Sequence, residues 1–244
     1  MDKNFIIKTE NMKKSFDGAE IIKAVNMNVR KGSIYGFLGP NGAGKTTIFK
    51  LLTGLLTPTE GKVEVIGVDV VKHRDEILKQ IGSLIEVPTF YEHLSAEDNL
   101  EIHLAYMGVS GIDITKALNM VGLGNTGKKP VLKFSLGMRQ RLGIARALIH
   151  RPQILILDEP INGLDPMGIR EMRELFLSLV QNQGMTILLS SHILSEIQHT
   201  ADTVGVIVNG IMIQEAGLAQ IKEKCNGSLE EYFFSIMSGG KAAW

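Results

Sequence analysis

The clearest chemistry in this chain belongs to a glycine-rich segment that ends in a lysine and two threonines. Residues 39–47 match the pattern G-x-x-x-x-G-K-[ST] in full. Glycines let backbone N–H groups converge on phosphate oxygens, because no Cβ stands in the way. Lys45 then supplies a point charge to the β- and γ-phosphates, and the Thr46 hydroxyl is suited to coordinate Mg²⁺. The predicted nucleotide-binding residues are Gly39, Pro40, Asn41, Gly42, Ala43, Gly44, Lys45, Thr46 and Thr47.

Two adjacent carboxylates follow an apolar run further along the chain. The run Ile-Leu-Ile-Leu at 154–157 precedes Asp158 and Glu159. At the carboxyl end of a parallel strand, Asp158 comes close to the metal ion of a nucleotide site. Glu159, one residue further on, is then placed to act as general base on an attacking water molecule. An acidic pair after a strand is common by itself, but its position downstream of the phosphate segment makes it a strong prediction of hydrolysis.

The segments that flank these residues have the patterns of the elements that must position them. Residues 34–38 form a compact apolar run that predicts a strand, and residues 46–55 change to a helical period. Strand, loop and helix in this order direct the positive end of the helix dipole at the phosphates. The apolar runs at 154–157 and 186–189 are typical of parallel strands that are buried on both faces.

Antiparallel strands are predicted near both ends of the chain. Residues 5–9 and 21–29 indicate two short strands, with a turn at Asp17-Gly18 between them. Residues 204–213, interrupted by Asn209-Gly210, predict a β-hairpin with a tight turn.

Helical signals dominate the middle of the chain, where the strand signals fade. Residues 88–151 contain a capping-box pattern at Ser95 and Asp98, which predicts the start of a helix. Further on, Asp165-Pro166 predicts the start of another helix, which Gly184 can end.

Three further segments give the chain a specific resemblance. Residues 134–141, Phe-Ser-Leu-Gly-Met-Arg-Gln-Arg, resemble the signature sequence of ABC ATPases. Residues 158–165 are similar to the carboxylate segment of that family joined to its D-loop, and residues 190–192 resemble its switch histidine after a strand. All segments occur in family order, and the resemblance covers nearly the whole chain.

The resemblance implies a mechanism that needs two subunits. In the family, two ATPase subunits pack head to tail, and each ATP lies between one phosphate loop and the partner's signature sequence. It implies that Ser135 and Gly137 address the γ-phosphate across this interface, that Asp165 of the D-loop belongs to the same site, and that His192 contacts the γ-phosphate and the water. Phe16 stands where the family stacks an aromatic ring on adenine. The implied ligands are ATP and Mg²⁺.

One position departs from the family pattern. The family has a glutamine after the strand that follows Gly61, whereas this chain has Glu86. A carboxylate ligates Mg²⁺ at least as well as an amide oxygen, so Glu86 is a candidate metal ligand beside Thr46 and Asp158. The alternative is that Glu86 points to solvent. Together with Leu136 and Met138 of the signature, the surrounding sequence resembles ATPase subunits of bacterial exporters that protect cells from bacitracin and lantibiotic peptides.

The resemblance implies an α/β fold with a P-loop NTPase (RecA-like) core, an antiparallel β-subdomain and an inserted helical subdomain. We expect a single ABC ATPase domain over residues 1–244, with the core at 1–87 and 152–222, the helical subdomain at 88–151 and a helical tail at 223–244. The implied partners are a second ATPase subunit, expected to be an identical copy, and an integral membrane permease. The expected location is cytoplasmic, peripheral at the inner face of the cell membrane.

Composition narrows the alternatives. Lys plus Arg and Asp plus Glu are equal at 26 each, so the chain lacks the basic excess that nucleic-acid partners demand. No apolar run approaches the roughly 20 residues that span a bilayer. A soluble ABC ATPase without a permease, acting in cofactor assembly, translation or DNA maintenance, stays open as an alternative. A P-loop kinase or GTPase lacks the signature and the carboxylate pair in this order.

Overall fold

The computed structural model describes residues 4–225 and 228–237. Its strands are β1 (Phe5–Phe16), β2 (Ala19–Arg30), β3 (Ile34–Leu38), β4 (Glu60–Val65), β5 (Val68–Asp69), β6 (Ile81–Leu84), β7 (Ile154–Leu157), β8 (Thr186–Ser191), β9 (Thr203–Val208) and β10 (Ile211–Gly217). Its α-helices are α1 (Lys45–Leu52), α2 (Arg74–Leu78), α3 (Ala96–Met107), α4 (Ile114–Met120), α5 (Leu136–Leu148), α6 (Pro166–Gln183), α7 (Leu194–Ile197), α8 (Leu218–Lys224) and α9 (Leu229–Met237).

A six-stranded sheet carries the phosphate-binding segment. Its strand order is β10-β9-β3-β8-β7-β6, with parallel pairing from β9 to β6 and an antiparallel edge strand β10. The carboxyl ends of parallel strands share one edge, so the segments after β3, β7 and β8 meet there. The parallel strands predicted at 154–157 and 186–189 are confirmed, although β8 continues to Ser191.

Both faces of this sheet are covered, and the alternation of side chains along its strands shows how. In β3, Ile34 and Leu38 belong to a core shared with helices α3, α5 and α6, whereas Tyr35 and Phe37 belong to a core shared with α1 and the second sheet. Because successive side chains in a strand point to opposite faces, a strand that is apolar throughout supplies both cores.

The second sheet is antiparallel, with the order β2-β1-β4-β5. The turn between β1 and β2 lies at Asp17-Gly18, as predicted, and both residues have positive φ. The two strands are longer than the predicted 5–9 and 21–29, because their polar residues face solvent and still pair in the ladder. The antiparallel β-subdomain is therefore confirmed.

Helices fill the middle of the chain. Between residues 88 and 151 lie α3, α4, a 3-10 turn at Val131–Lys133 and α5. The predicted capping box is confirmed, since the Ser95 hydroxyl accepts from Asp98 N and the Asp98 carboxylate accepts from Ser95 N. The subdomain boundaries themselves stay a prediction.

One helical prediction needs correction. The helix predicted at 46–55 ends at Leu52, because Gly54 takes a positive φ of 68° and turns the chain away; Leu55 lies outside it. Near the carboxyl terminus, α8 begins at Leu218, before the predicted tail at 223–244. Residues 226–227 and 238–244 of that tail lie outside the described residues. Ser228 caps α9, since its hydroxyl accepts from Glu231 N.

Candidate functional site

The phosphate-binding segment forms a loop between β3 and the start of α1. Gly42 and Gly44 have φ of 79° and 107°, a region that favours glycine, so these positions explain the composition of the loop. The loop and the carboxylates after β7 line a pocket of about 210 Å³. Lys45 is 6% exposed and donates to the carbonyl oxygens of Gly39, at 2.7 Å, and Pro40, at 3.3 Å.

The turn of the β9–β10 hairpin holds this loop in place. Gly210 N donates to the carbonyl oxygen of Ala43, and the carbonyl oxygen of Gly210 accepts from Lys23 N in β2. Gly210 has φ 78°, and a Cβ there would lie 1.9 Å from the carbonyl oxygen of Ile21. The hairpin at Asn209-Gly210 was predicted, but its role as a clamp between the loop and β2 was not.

Asp158 lies at the end of β7 and contacts the first turn of α1. Its Oδ2 accepts from the Thr46 hydroxyl at 2.5 Å, and its Oδ1 accepts from the Ser190 hydroxyl at 2.6 Å. Asp158 is 8% exposed, so these two donors satisfy a nearly buried carboxylate. The hydroxyl and carboxylate oxygens that meet here are hard ligands of the kind that Mg²⁺ prefers.

Glu159 lies between a lysine and a histidine. Its Oε2 is 2.9 Å from Nδ1 of His192, and its Oε1 is 3.4 Å from Nζ of Lys45. Oε1 is buried and the Lys45 contact is an ion pair without hydrogen-bond geometry, so this oxygen has no donor. A buried acceptor that lacks a donor inside a pocket is suited to a water molecule or a ligand. Glu159 also takes a φ of 47°, a strained conformation of the kind found at functional sites.

The signature segment and the D-loop touch each other, away from the phosphate loop. Ser135 is the N-cap of α5 and accepts from Met138 N at 3.2 Å, while its side chain stays exposed. A Cβ added at Gly137 would lie 3.2 Å from the carbonyl oxygen of Gly163. Asp165 caps α6 by accepting from Gly168 N at 2.7 Å. The structure thus does not bring Ser135, Gly137 and Asp165 to the pocket of their own chain.

Phe16 and Glu86 also lie outside that pocket. Phe16 ends β1 and is 41% exposed, and Nζ of Lys14 lies 4.9 Å from the centroid of its ring. Glu86 follows β6, and its Oε1 accepts from Nζ of Lys50 at 2.5 Å. The Glu86 side chain is 61% exposed, as expected if it points to solvent. In the described residues it makes no hydrogen bond with Thr46 or Asp158.

Comparison with known proteins decides the family. The family model described as ABC transporter matches residues 22–162, more than half of the chain. This chain belongs to the ABC transporter family. It is an ATP-hydrolysing subunit of the ABC type, and the kinase and GTPase alternatives are thereby excluded.

Individual relatives agree with the sub-group that the signature indicates. The bacitracin transport ATP-binding protein BcrA of Bacillus licheniformis is 49% identical over 238 residues, which cover 97% of this chain and 77% of that protein. The lantibiotic transport ATP-binding protein SrtF of Streptococcus pyogenes is 52% identical over 210 residues, 86% of this chain and 90% of that protein. A solved ATP-binding subunit of an ABC transporter superposes with a TM-score of 0.85 at 26% identity, over 95% of this chain and 99% of that chain. The resemblance and the P-loop NTPase fold class are confirmed.

Three residues of this ABC ATPase escaped the sequence analysis. Ser190 donates to Asp158 and accepts from Glu159 N at 2.9 Å, Gln140 Nε2 donates to the carbonyl oxygen of Glu159 at 3.3 Å, and Ile21 lines the phosphate pocket. Ser190 lies in the switch-histidine segment and Gln140 in the signature segment, but neither motif indicates these contacts, and nothing in the spacing distinguishes Ile21 from a core residue.

Burial affects one more carboxyl group near the switch histidine. The hydroxyl of Ser191 donates to Glu196, five residues later in α7, and desolvation raises the pKa of Glu196 above its usual value. The charge of Glu159 acts in the same direction.

None of the helices in the described residues of the ABC subunit combines the length and the apolar composition that crossing a membrane requires.

Proposed function

We propose that this ABC subunit hydrolyses MgATP to drive a membrane permease that exports antimicrobial peptides of the bacitracin or lantibiotic type. The observation that carries the hydrolytic part is the placement of Glu159 between Lys45 and His192, with one carboxylate oxygen left without a donor. The relatives BcrA and SrtF support the class of substrate.

The reaction is phosphoryl transfer to water. Glu159 accepts the proton of the attacking water, and His192 orients the carboxylate through the contact with Oε2. Lys45 places its positive charge against the developing charge on the γ-phosphate. The buried, donor-poor Oε1 of Glu159 supports this role, because a water molecule there gains the hydrogen bond that the protein does not supply.

The residues present fit a magnesium ion. Thr46 and Asp158 already share a hydrogen bond at the end of β7, and Glu86 is the third candidate ligand. When bound, Mg²⁺ neutralises charge on the β- and γ-phosphate oxygens. Few protein ligands are needed, because Mg²⁺ in such sites is held by one or two carboxylates plus substrate phosphates.

A second subunit completes the site in this proposal. The residues that lie away from the pocket of their own chain are Ser135, Gly137 and Asp165. Two apolar residues near them in sequence are exposed, Leu136 to 62% and Met167 to 64%. An exposed apolar side chain beside polar phosphate-binding residues is typical of an interface. We propose a head-to-tail dimer of identical chains in which this surface faces the partner's phosphate loop, where the Ser135 hydroxyl and the Gly137 N–H address the γ-phosphate.

The permease is proposed to bind beside Glu86 and the helical segment. A cleft of about 310 Å³ lies between the chain after β6 and helices α3 and α5, lined by Phe90, Tyr91, His103, Tyr106 and Arg146. Tyr91 and Tyr106 in its lining are 47% and 79% exposed. Exposed aromatic groups at a cleft favour a protein partner. In this proposal the subunit is cytoplasmic, is held at the inner face of the membrane by the permease, and has no nucleic-acid partner.

The test uses tagged Glu159→Gln protein, purified from detergent-solubilised membranes with MgATP. Glutamine keeps the size of the side chain but accepts no proton, so turnover should fall about 100-fold or more while ATP stays bound. The variant should accumulate as a nucleotide-bound dimer, and mass spectrometry should find a polytopic membrane protein in stoichiometric amount.

Glu223→Gln, a change at an exposed position, serves as the control and should behave like the unmodified protein. An active, monomeric Glu159→Gln protein would refute the catalytic role. Recovery of only soluble assembly factors or ribosomes would keep the ATPase chemistry and favour the soluble alternative over the transporter.

A further inference from the structure

Lys50, on the helix that follows the phosphate loop, forms an ion pair with Glu86, which stands where the family has a glutamine. Nζ of Lys50 in α1 lies 2.5 Å from Oε1 of Glu86, and the two side chains are 30% and 61% exposed. Glu86 reaches this position with φ 63°, in the left-handed region that a glutamate rarely adopts.

Folding stability does not explain this pair. An ion pair at such exposure contributes little, because solvent screens it and two long side chains lose freedom. The backbone conformation of Glu86 adds strain that the pair must offset. Backbone strain at Glu86 that brings little stability is typical of a functional position, and the neighbouring functional site is the nucleotide site.

The position of Lys50 along α1 relates the pair to the proposed metal ligands. Lys50 follows Thr46 by four residues, so both side chains lie on the same face of the helix, one turn apart. Thr46 in turn donates to Asp158. Glu86 is therefore held by a cation one helical turn beyond the hydroxyl that the proposed metal site uses.

We propose that Lys50 is a positioning residue that holds Glu86 off the metal and so sets the metal affinity of the nucleotide site. The proposal rests on the proposed MgATP function. Glu86 must leave the lysine before its carboxylate can bind a divalent cation. The lysine and the metal thus compete for one carboxylate, and this competition requires a glutamate, since a glutamine would form no ion pair with Lys50.

The experiment is a double-mutant cycle with Mn²⁺ as the probe. Four full-length proteins are compared, namely the unmodified chain, Lys50→Gln, Glu86→Gln and the double variant, each saturated with a non-hydrolysable ATP analogue. Free Mn²⁺ is measured by electron paramagnetic resonance. We expect Lys50→Gln to tighten Mn²⁺ binding about threefold to fivefold, in proportion to the loss of one exposed ion pair.

In the Glu86→Gln background the same lysine substitution should change the affinity less than about twofold, since only the general charge of Lys50 is then removed. Lys50→Arg keeps the ion pair and should restore the affinity of the unmodified chain. As a second readout, the Mg²⁺ concentration for half-maximal ATP hydrolysis should fall in Lys50→Gln, while kcat changes little.

Each contrary result has a distinct meaning. Equal effects of Lys50→Gln in both backgrounds, or weaker Mn²⁺ binding, would overturn the competition while leaving the ATPase function intact. Absence of Mn²⁺ binding by the unmodified chain with the analogue would overturn both the proposed metal site and this inference. Neither substituted side chain is buried, so the variants should fold, which thermal unfolding followed by circular dichroism checks.

Discussion

At the scale of single residues, Ser190 forms hydrogen bonds with both Asp158 and Glu159. Its hydroxyl donates to Asp158 Oδ1 and accepts from the backbone N–H of Glu159, and its side chain is fully buried at the end of β8. One side chain therefore fixes the metal-binding candidate and the general-base candidate together. The positions of both carboxylates depend on a residue that touches neither nucleotide nor water in the proposed mechanism.

We expect Ser190→Ala to lower kcat about tenfold with a smaller change in KM, because Glu159 loses its fixed backbone position. The substitution also leaves Asp158 Oδ1 without a donor, which should cost about 1–3 kcal/mol of unfolding free energy. ATPase kinetics and urea unfolding measure the two effects. Ser178→Ala, on an exposed face of α6, is the control, and a Ser190→Ala protein with unchanged kcat would contradict the positioning role.

Residue-scale contacts also mark where sequence reasoning ends. The phosphate loop and Asp158-Glu159 were predictable, because each depends on neighbours along the chain. The contacts Ser190–Asp158 and Lys50–Glu86 join separate elements, and the sequence pattern around each residue does not identify its partner. Only the register of the sheet and the path of the chain after β6 make them partners.

At the scale of elements, α5 and β6 show how closely the helical segment packs on the sheet. A Cβ added at Gly82 in β6 would lie 1.9 Å from the carbonyl oxygen of Ala147 and 3.0 Å from Pro152. The backbone of α5 thus approaches a strand at a place where only glycine fits. Because β6 ends two residues before Glu86, the contact between β6 and α5 also fixes the position of the Glu86 backbone.

Gly82→Ala should therefore force β6 and α5 apart and lower the unfolding free energy by roughly 2–3 kcal/mol. Differential scanning calorimetry measures the loss. Gly217→Ala is the matched control, because a Cβ there meets only ordinary contacts at 3.6 Å and beyond. Equal stability of the two variants would show that β6 and α5 adapt more easily than their close approach indicates.

The same scale explains why β4 and β5 were missed while β3, β7 and β8 were predicted. The three parallel strands are continuous apolar runs, which periodicity detects. In β4, Glu60, Gly61 and Lys62 are exposed, and the strand exists because β1 pairs with it. Pairing of this kind is a tertiary effect that a local pattern does not contain.

At the scale of the whole molecule, two histidines link the helical segment to the sheet. His103 of α3 and His150, which follows α5, have ring centroids 5.9 Å apart, and His150 Nε2 lies 3.2 Å from the carbonyl oxygen of Ile81 in β6. Burial, with smaller contributions from His150 and Arg146, lowers the pKa of His103 from 6.5 to about 4. Burial also lowers the pKa of His150.

The sign of the resulting pH dependence follows from proton binding. Between pH 6.5 and 4 the unfolded chain binds a proton at His103 that the folded chain does not, so stability falls as the pH falls through this window. Because His103 is partly exposed, its contribution to stability is smaller than the full pKa shift would give. We expect His103→Gln to reduce the difference in unfolding free energy between pH 7 and pH 4.5 by about 1 kcal/mol. Urea unfolding at both pH values measures it, with the exposed His93→Gln as control. An unchanged pH dependence in His103→Gln would assign the acid sensitivity to other groups.

The clamp at Gly210 has a consequence for the order in which a new chain becomes functional. The nucleotide loop leaves the ribosome early, but β3 pairs with β8 and β9, and the loop is tied to β2 through Gly210. A nascent chain that ends before residue 210 therefore carries the complete phosphate motif without the scaffold that shapes it. Competence to bind ATP should appear only when synthesis has passed the β9–β10 hairpin.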